Sequence, residues 1–297
     1  MDSVLLIQIL VSGLMMGFVY ALVSIGLNLI YGVMEIVNFA HGAFLMVAMY
    51  IAFWLSQLIG LDPVFAVPVC AAAIGLLGAL TYGLIIKRVI DAPPLAQIFA
   101  TFGLMLVLEA LAQFLWSADY RTVENTIFSG VVTVAGLRVG TAKLIVAVGA
   151  ILTTAILFWF YNRTKTGKAL QATAISKQAA MLMGIDTNKM YLLSWILGGA
   201  RVGAAGALLA TFYNIFPTVG TAFVLIAFAL GNAILPGPLA DLLLLVVAAT
   251  MLATPLLFIL YDKGIARLYC EAQATREADA IEEENPIIIA GRGRVGG

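Results

Sequence analysis

Charge is what this sequence most lacks. Only 11% of its 297 residues are Asp, Glu, Lys or Arg, against about a quarter in an average soluble domain. That deficit excludes a cytosolic enzyme, a disordered chain and a nucleic-acid binder. Sixteen basic residues balance sixteen acidic ones, so no net field draws a polyanionic partner. Cysteine is scarce as well. Cys70 and Cys270 are too few for a disulfide framework and too far apart for a metal site. The lone histidine, His41, and scattered serines supply neither a nucleophile–base pair nor a metal triad. No G-x-x-x-x-G-K-[ST] loop occurs, so the chain itself hydrolyses no nucleotide and is expected to carry no cofactor. Its first residues, Met1-Asp2-Ser3, lack the basic region of a cleavable signal peptide.

What fills the chain instead is apolar length, with 63% of residues hydrophobic. A helix needs about 20 apolar residues to cross the hydrocarbon core of a bilayer. Stretches of that kind lie near 4–33, 36–59, 63–86, 97–117, 142–161 and 190–213, with a short one at 222–235 and a strong one at 239–261. The expected fold is an all-α polytopic transmembrane bundle of seven or eight spans.

The basic residues set its orientation. Arg163, Lys165, Lys168, Lys177 and Lys189 fall between the fifth and sixth spans, and Lys87-Arg88 falls two spans earlier. Both loops then face the cytoplasm, leaving the N-terminus and the mixed-charge loop 118–141 outside. Gly13-x-x-x-Gly17 and Gly199-x-x-x-Gly203 predict close helix contacts, because helices in lipid associate through small residues. Ionisable groups inside spans cost about 2.5–3.5 kcal/mol each. Glu109 and Arg201 are such groups and can pair, while Glu35 sits at a cytoplasmic boundary. Asn28, Asn38, His41 and Glu109 are polar at membrane depth, which makes them candidates for a translocation path. Asn38 and His41 can equally hold a helix break by bonding freed backbone groups.

Between the fifth and sixth spans, a run of helix formers bracketed by Gly167 and Gly184 is too short and too polar to cross. Its charge suits an acidic or mixed groove on a cytoplasmic partner.

Three stretches carry a family resemblance. Ser24–Tyr50 holds Tyr31-Gly32, Ile36, Asn38-Phe39-Ala40-His41-Gly42 and Met46, and resembles the first signature of permease subunits of branched-chain amino-acid ABC importers. Ile98–Trp116 with Arg121 is similar to that family's fourth span and following loop. Asn162–Asp186, NRTKTGKALQATAISKQAAMLMGID, closely resembles its cytoplasmic coupling loop.

The resemblance implies that Lys165, Gly167, Lys168, Ala172, Ala179, Ala180, Leu182, Met183 and Gly184 couple to an ATPase. It also implies partners: two ABC ATPase subunits that hydrolyse the ATP, a second permease subunit, and a periplasmic or extracellular substrate-binding protein. The setting it implies is lipid, in the bacterial inner membrane, and no nucleic acid is involved. Related urea and short-amide permeases share much of the pattern, so the cargo stays open between them and branched-chain amino acids.

The likeness covers about residues 1–220. Residues 221–262, through Asp241, Thr254-Pro255 and Leu260-Tyr261-Asp262-Lys263, resemble the last membrane helices of potassium-efflux cation:proton antiporters. Residues 263–297 resemble the start of their nucleotide-binding domain. A fusion of two gene fragments is one expectation, and an antiporter fragment on an inactive permease is its variant. Gly291-x-Gly293-x-x-Gly296 is a dinucleotide fingerprint that needs a following helix to bind phosphate. With the chain ending at Gly297, the motif is expected to be non-functional and the charged tail beyond Tyr261 poorly ordered.

Overall fold

The computed structural model describes residues 3–124, 126, 127, 130–134, 137–221 and 223. All of them lie within one compact unit, Met1–Thr250. Helix α1 (Ser3–Met34) leads through a non-helical stretch at 35–40 into α2 (His41–Ile59). Next comes α3 (Pro63–Thr81), prolonged by a π-helical turn (Tyr82–Ile86) and by α4 (Lys87–Val89). Then follow α5 (Pro94–Trp116), a β-hairpin of β1 (Val131–Val134) and β2 (Leu137–Gly140), and α6 (Thr141–Arg163). Two short helices, α7 (Lys165–Ile175) and α8 (Lys177–Leu182), precede α9 (Thr187–Leu209).

Six helices among the described residues are long and apolar enough to cross a membrane. They coincide with the first six expected spans. The two further apolar stretches, 222–235 and 239–261, lie outside the described residues, as do the expected domains 221–262 and 263–297 and the Gly291, Gly293, Gly296 motif, apart from Thr221 and Phe223.

Helix α9 is the axis of the bundle, and glycines let it be so. A Cβ on Gly199 would stand 2.6 Å from the Ile74 carbonyl oxygen, and one on Gly203 would stand 2.5 Å from that of Cys70. From the other side, Gly75 and Gly78 of α3 abut the carbonyls of Ile196 and Trp195. The two backbones therefore touch along several turns, which is how helices bind each other when lipid provides no hydrophobic drive. Gly198 takes Ile30 of α1, and Gly206 takes Leu45 and Ala48 of α2.

These contacts also fix which ends lie together. Trp195 Nε1 donates to Met34 Sδ at 3.2 Å, and Gly78 lies against Trp195. The ends of α1 and α3 thus meet the start of α9, so Lys87-Arg88 and the loop 163–189 share one end of the bundle, as positive-inside counting expects. At the opposite end Asp62 caps α3 through Val64 N–H (2.9 Å) and accepts Ile127 N–H at 2.7 Å. Arg121 and Ile215 exchange backbone hydrogen bonds of 2.9 and 2.8 Å there.

Candidate functional site

Two places combine polar groups with a structural irregularity. The first is the chain break inside the bundle. Glu35 adopts φ +58 and ends α1 with its side chain exposed. The chain then turns back, so that α2 starts well inside the bundle. His41 Nε2 lies 3.1 Å from the carbonyl of Val23, eleven residues before the end of α1. Gly26 leaves room for the imidazole, since a Cβ there would meet His41 Cε1 at 3.1 Å.

A break at membrane depth frees backbone groups that water cannot satisfy. Thr101 of α5 reaches them here: its hydroxyl accepts from Phe39 N–H (3.3 Å), and its one proton lies between the Val37 carbonyl (3.2 Å) and the Ile98 carbonyl of its own helix (3.0 Å). Asn38 does not do so. The residue is 2% exposed, and neither Oδ1 nor Nδ2 has a partner among the described residues. His41 Nδ1 is equally buried and has no partner among the described residues.

Glu109, two turns beyond Thr101 on α5, is half-buried and accepts a hydrogen bond from Thr221. Gly220, next to it, packs on the Gly42 carbonyl at the start of α2. The break, α5 and residues 220–221 therefore converge, and they bring Asn38, His41 and Glu109 into one region. Asn28 does not join them. It lies on the exposed side of α1, apart from these three. Thr101 was missed from sequence; a hydroxyl in an otherwise apolar span was the available signal.

A Glu109–Arg201 pair is corrected too. Arg201 Nη2 donates to Thr154 Oγ1 of α6 at 2.6 Å, whereas Glu109 is held by Thr221. Both helices pack on α2, but the two side chains engage different hydroxyls. No pairing of opposite charges at membrane depth exists among the described residues.

The second place is the basic end of the bundle. Thr164 ends α6 and begins α7 in one residue: its hydroxyl donates to the Phe160 carbonyl (2.7 Å) and accepts Gly167 N–H (2.9 Å). Gly167 must be small because α7 folds back on α6, and a Cβ would stand 2.6 Å from Tyr161 Cα. Gln171 Nε2 adds a bond to the Tyr161 carbonyl at 3.2 Å. The joint between α6 and α7 is thereby stiff.

Ser176 breaks the next turn and caps α8 through Ala179 N–H at 3.2 Å. Gly184, at φ +76, closes α8: its N–H reaches the Met181 carbonyl while Ile185 N–H reaches that of Ala180, both at 3.0 Å. That pairing requires a left-handed residue, which glycine adopts without a Cβ penalty.

The elbow between α7 and α8 projects apolar side chains where no lipid span exists. Ile175 is 86% exposed, Leu182 88% and Met183 81%. Ala172, Ile175, Ser176, Ala179, Ala180, Met183 and Ile185 line a shallow apolar hollow beside them. Of the residues expected to couple to an ATPase, Lys165, Lys168, Ala179, Leu182, Met183 and Gly184 are exposed and Ala172 is half-buried. Gly167 is buried against the backbone of Phe160 and Tyr161, and Ala180 is buried at the floor of the hollow. Asp186 caps α9 by accepting Lys189 N–H (3.2 Å) and pairs with Lys189 Nζ at 3.3 Å. The Lys189 N–H beside it, then the Lys189 side chain, hold its carboxyl below the ordinary value.

Comparison with known proteins joins these two places. A family model described as "Branched-chain amino acid transport system / permease component" matches residues 9–265. The match runs beyond residue 220, where the motif-level likeness ends. The permease protein BraD of the high-affinity branched-chain amino acid transport system of Pseudomonas aeruginosa is 28% identical over 228 residues, covering 72% of this chain and 74% of its own. A probable branched-chain amino acid transport permease, LivH, of Methanocaldococcus jannaschii is 31% identical over 224 residues, with 70% and 67% covered. The fructose import permease protein FrcC of Rhizobium meliloti is 26% identical over 167 residues, 54% of this chain and 45% of its own. No solved structure matches the chain. With the family model spanning most of its length and six apolar helices in its bundle, this multi-pass inner-membrane protein belongs to the family of permease components of branched-chain amino acid transport systems.

Proposed function

We propose that this chain is the transmembrane permease subunit of an ABC importer for branched-chain amino acids, driven by ATPase subunits that dock on α7 and α8. The observation that carries the docking is the exposed apolar elbow of Ile175, Leu182 and Met183, set among the exposed cations Lys165, Lys168 and Lys177 at the basic end of the bundle. An apolar patch rimmed by charge at a water-facing end is the mark of a protein contact. The stiff joint at Thr164 and Gly167 makes α6 and α7 move as one lever, so a pull on the elbow reaches the membrane.

Two ATPase subunits, a second permease subunit and an external substrate-binding protein complete the assembly. Asn38, His41 and Glu109 line the region where cargo crosses, beside the break between α1 and α2. Discontinuous helices at mid-membrane are where many transporters hold cargo. Urea or a short amide is the competing cargo. A separate origin for residues 221–297 rests on the antiporter-like residues alone, against a family match that runs to residue 265.

The test is reconstitution with candidate ATPase and binding-protein subunits, followed by uptake of labelled leucine against labelled urea. Leucine uptake that requires ATP and a co-purifying ATPase is the expected result. Leu182→Asp should abolish the ATPase activity that substrate stimulates while leaving membrane insertion intact. Normal stimulation in that variant would remove the docking role.

A further inference from the structure

Arg201 stands inside the bundle without a counter-ion among the described residues. It is 5% exposed, in α9, fourteen residues from Thr187, which at 1.5 Å per residue is roughly 21 Å along the helix. Its single hydrogen bond among the described residues goes to the Thr154 hydroxyl. Nε and Nη1 are buried and have no partner among the described residues, which leaves at least three of its five N–H donors idle there. A guanidinium stays charged in proteins, and a buried charge must be paired. Lipid phosphates do not answer the need, because the side chain is enclosed by protein.

We propose that Arg201 receives the carboxylate of the transported amino acid, and that Thr154 of α6 covers it in the conformation seen here. The inference rests on the amino-acid cargo assigned above. Its chemistry is that of a planar fork of donors meeting a carboxylate in a water-poor site, where such bonds are strong and geometrically selective. The cover is built to move. α6 touches α9 through small residues: Gly149 lies against Leu208, and Thr154 reaches Arg201. The other end of α6 is locked to α7 through Thr164, Gly167 and Gln171. Displacing the elbow therefore withdraws Thr154 from Arg201 and frees the fork for an anion.

The experiment uses the full chain in the reconstituted importer, with leucine and leucinamide as competing probes. Leucinamide keeps the side chain and ammonium and lacks the carboxylate. Leucine should be preferred by at least about tenfold, the weight of one good charged contact. Arg201→Gln should bring that preference close to one, and Arg201→Lys should restore part of it. Thr154→Val leaves the fork intact and should raise the affinity for leucine several-fold with little change for leucinamide. This variant still decides the matter if Arg201→Gln fails to fold.

A preference unchanged in Arg201→Gln, or an unchanged leucine affinity in Thr154→Val, overturns the assignment while leaving the importer function standing. Conversely, binding of isovalerate to the chain alone, lost in Arg201→Gln, supports the carboxylate site even if leucine is not the cargo. Asp241 as an internal counter-ion is the remaining alternative. It would show as equal destabilisation by Asp241→Asn, Arg201→Gln and the double variant, and that result also overturns the proposal.

Discussion

Helices α9 and α6 have the same length, 23 residues, and opposite surroundings. In α9, 72% of the membrane window is buried within the protein; in α6 it is 17%. Yet α6 is the more hydropathic of the two. In water the order would be reversed, since the most apolar helix seeks the core. In lipid, apolar side chains gain nothing by leaving the solvent, and burial goes to the helix that can approach others most closely. α9 achieves this with Gly198, Gly199, Gly203 and Gly206. α6 instead presents Val148, Ile151, Leu152, Ile156, Phe158 and Trp159 outward. One helix is a packing axis and the other is a lever resting on it.

That contrast is easiest to break at α9. Gly203→Ile would drive a branched side chain into the Cys70 carbonyl and Ala71 backbone, and backbone cannot yield as a side chain can. A loss of at least ~3 kcal/mol follows, at the upper end of overpacking costs. The measurement is thermal unfolding of the purified chain, read by a thiol-reactive dye on the buried Cys70 in a Cys270→Ser background. An unchanged midpoint would mean that α3 and α9 do not touch as described.

The same assay sharpens the contrast with a matched pair. Leu208→Ala removes a side chain that is 2% exposed and lies against Gly149, and should cost about 2–4 kcal/mol. Ile156→Ala on α6 removes one that is 58% exposed and should stay within about 0.5 kcal/mol. Equal losses at both positions would contradict a lipid-facing α6.

Why sequence reveals one part of this and not the other follows from the same physics. Apolar length and basic loops are local quantities, so the six described spans and the side of the two basic loops were legible. Gly199-x-x-x-Gly203 was legible as a contact because no other residue type allows one so close. Which face of α5 or α6 turns inward was not, because a helix apolar all round carries no directional signal in lipid. The partner of Arg201 was mistaken for the same reason: sign suggested Glu109, and only the packing of α6 on α9 selects Thr154. The hairpin β1–β2 was read as plain loop, although Val131–Val134 is a run of β-formers. At the break, Asn38 and His41 were visible as polar residues, but Thr101 is sixty residues away and only the fold brings it there.

Thr101 offers the next smaller effect. Thr101→Val keeps the volume and removes the hydroxyl that serves Phe39 N–H and the Val37 carbonyl. The break then loses the hydroxyl that ties it to α5, a loss of about 1–3 kcal/mol in the same assay. Thr101→Ser retains the hydroxyl and should behave close to the parent. If Val is tolerated as well as Ser, the break is held by something other than Thr101.

The smallest effect belongs to the cytoplasmic end and has a sign that can be worked out. The Asp186 carboxyl is held below its ordinary value of 3.8, chiefly by the Lys189 N–H it accepts and next by the Lys189 side chain. A depressed folded-state value means the unfolded chain binds the proton more readily. The cap on α9 therefore contributes fully above the ordinary value and fades as pH falls through the lower, folded one. The unfolding midpoint should drop slightly on acidification from pH 6 toward that range, and Asp186→Asn, which still caps a helix, should flatten this part of the profile. The exposed pair with Lys189 is weak in water and screened by salt, so adding salt should shrink the slope without removing it. A flat profile would mean that the carboxyl is free when α9 is folded, and the start of the packing axis would then lie elsewhere than at Thr187.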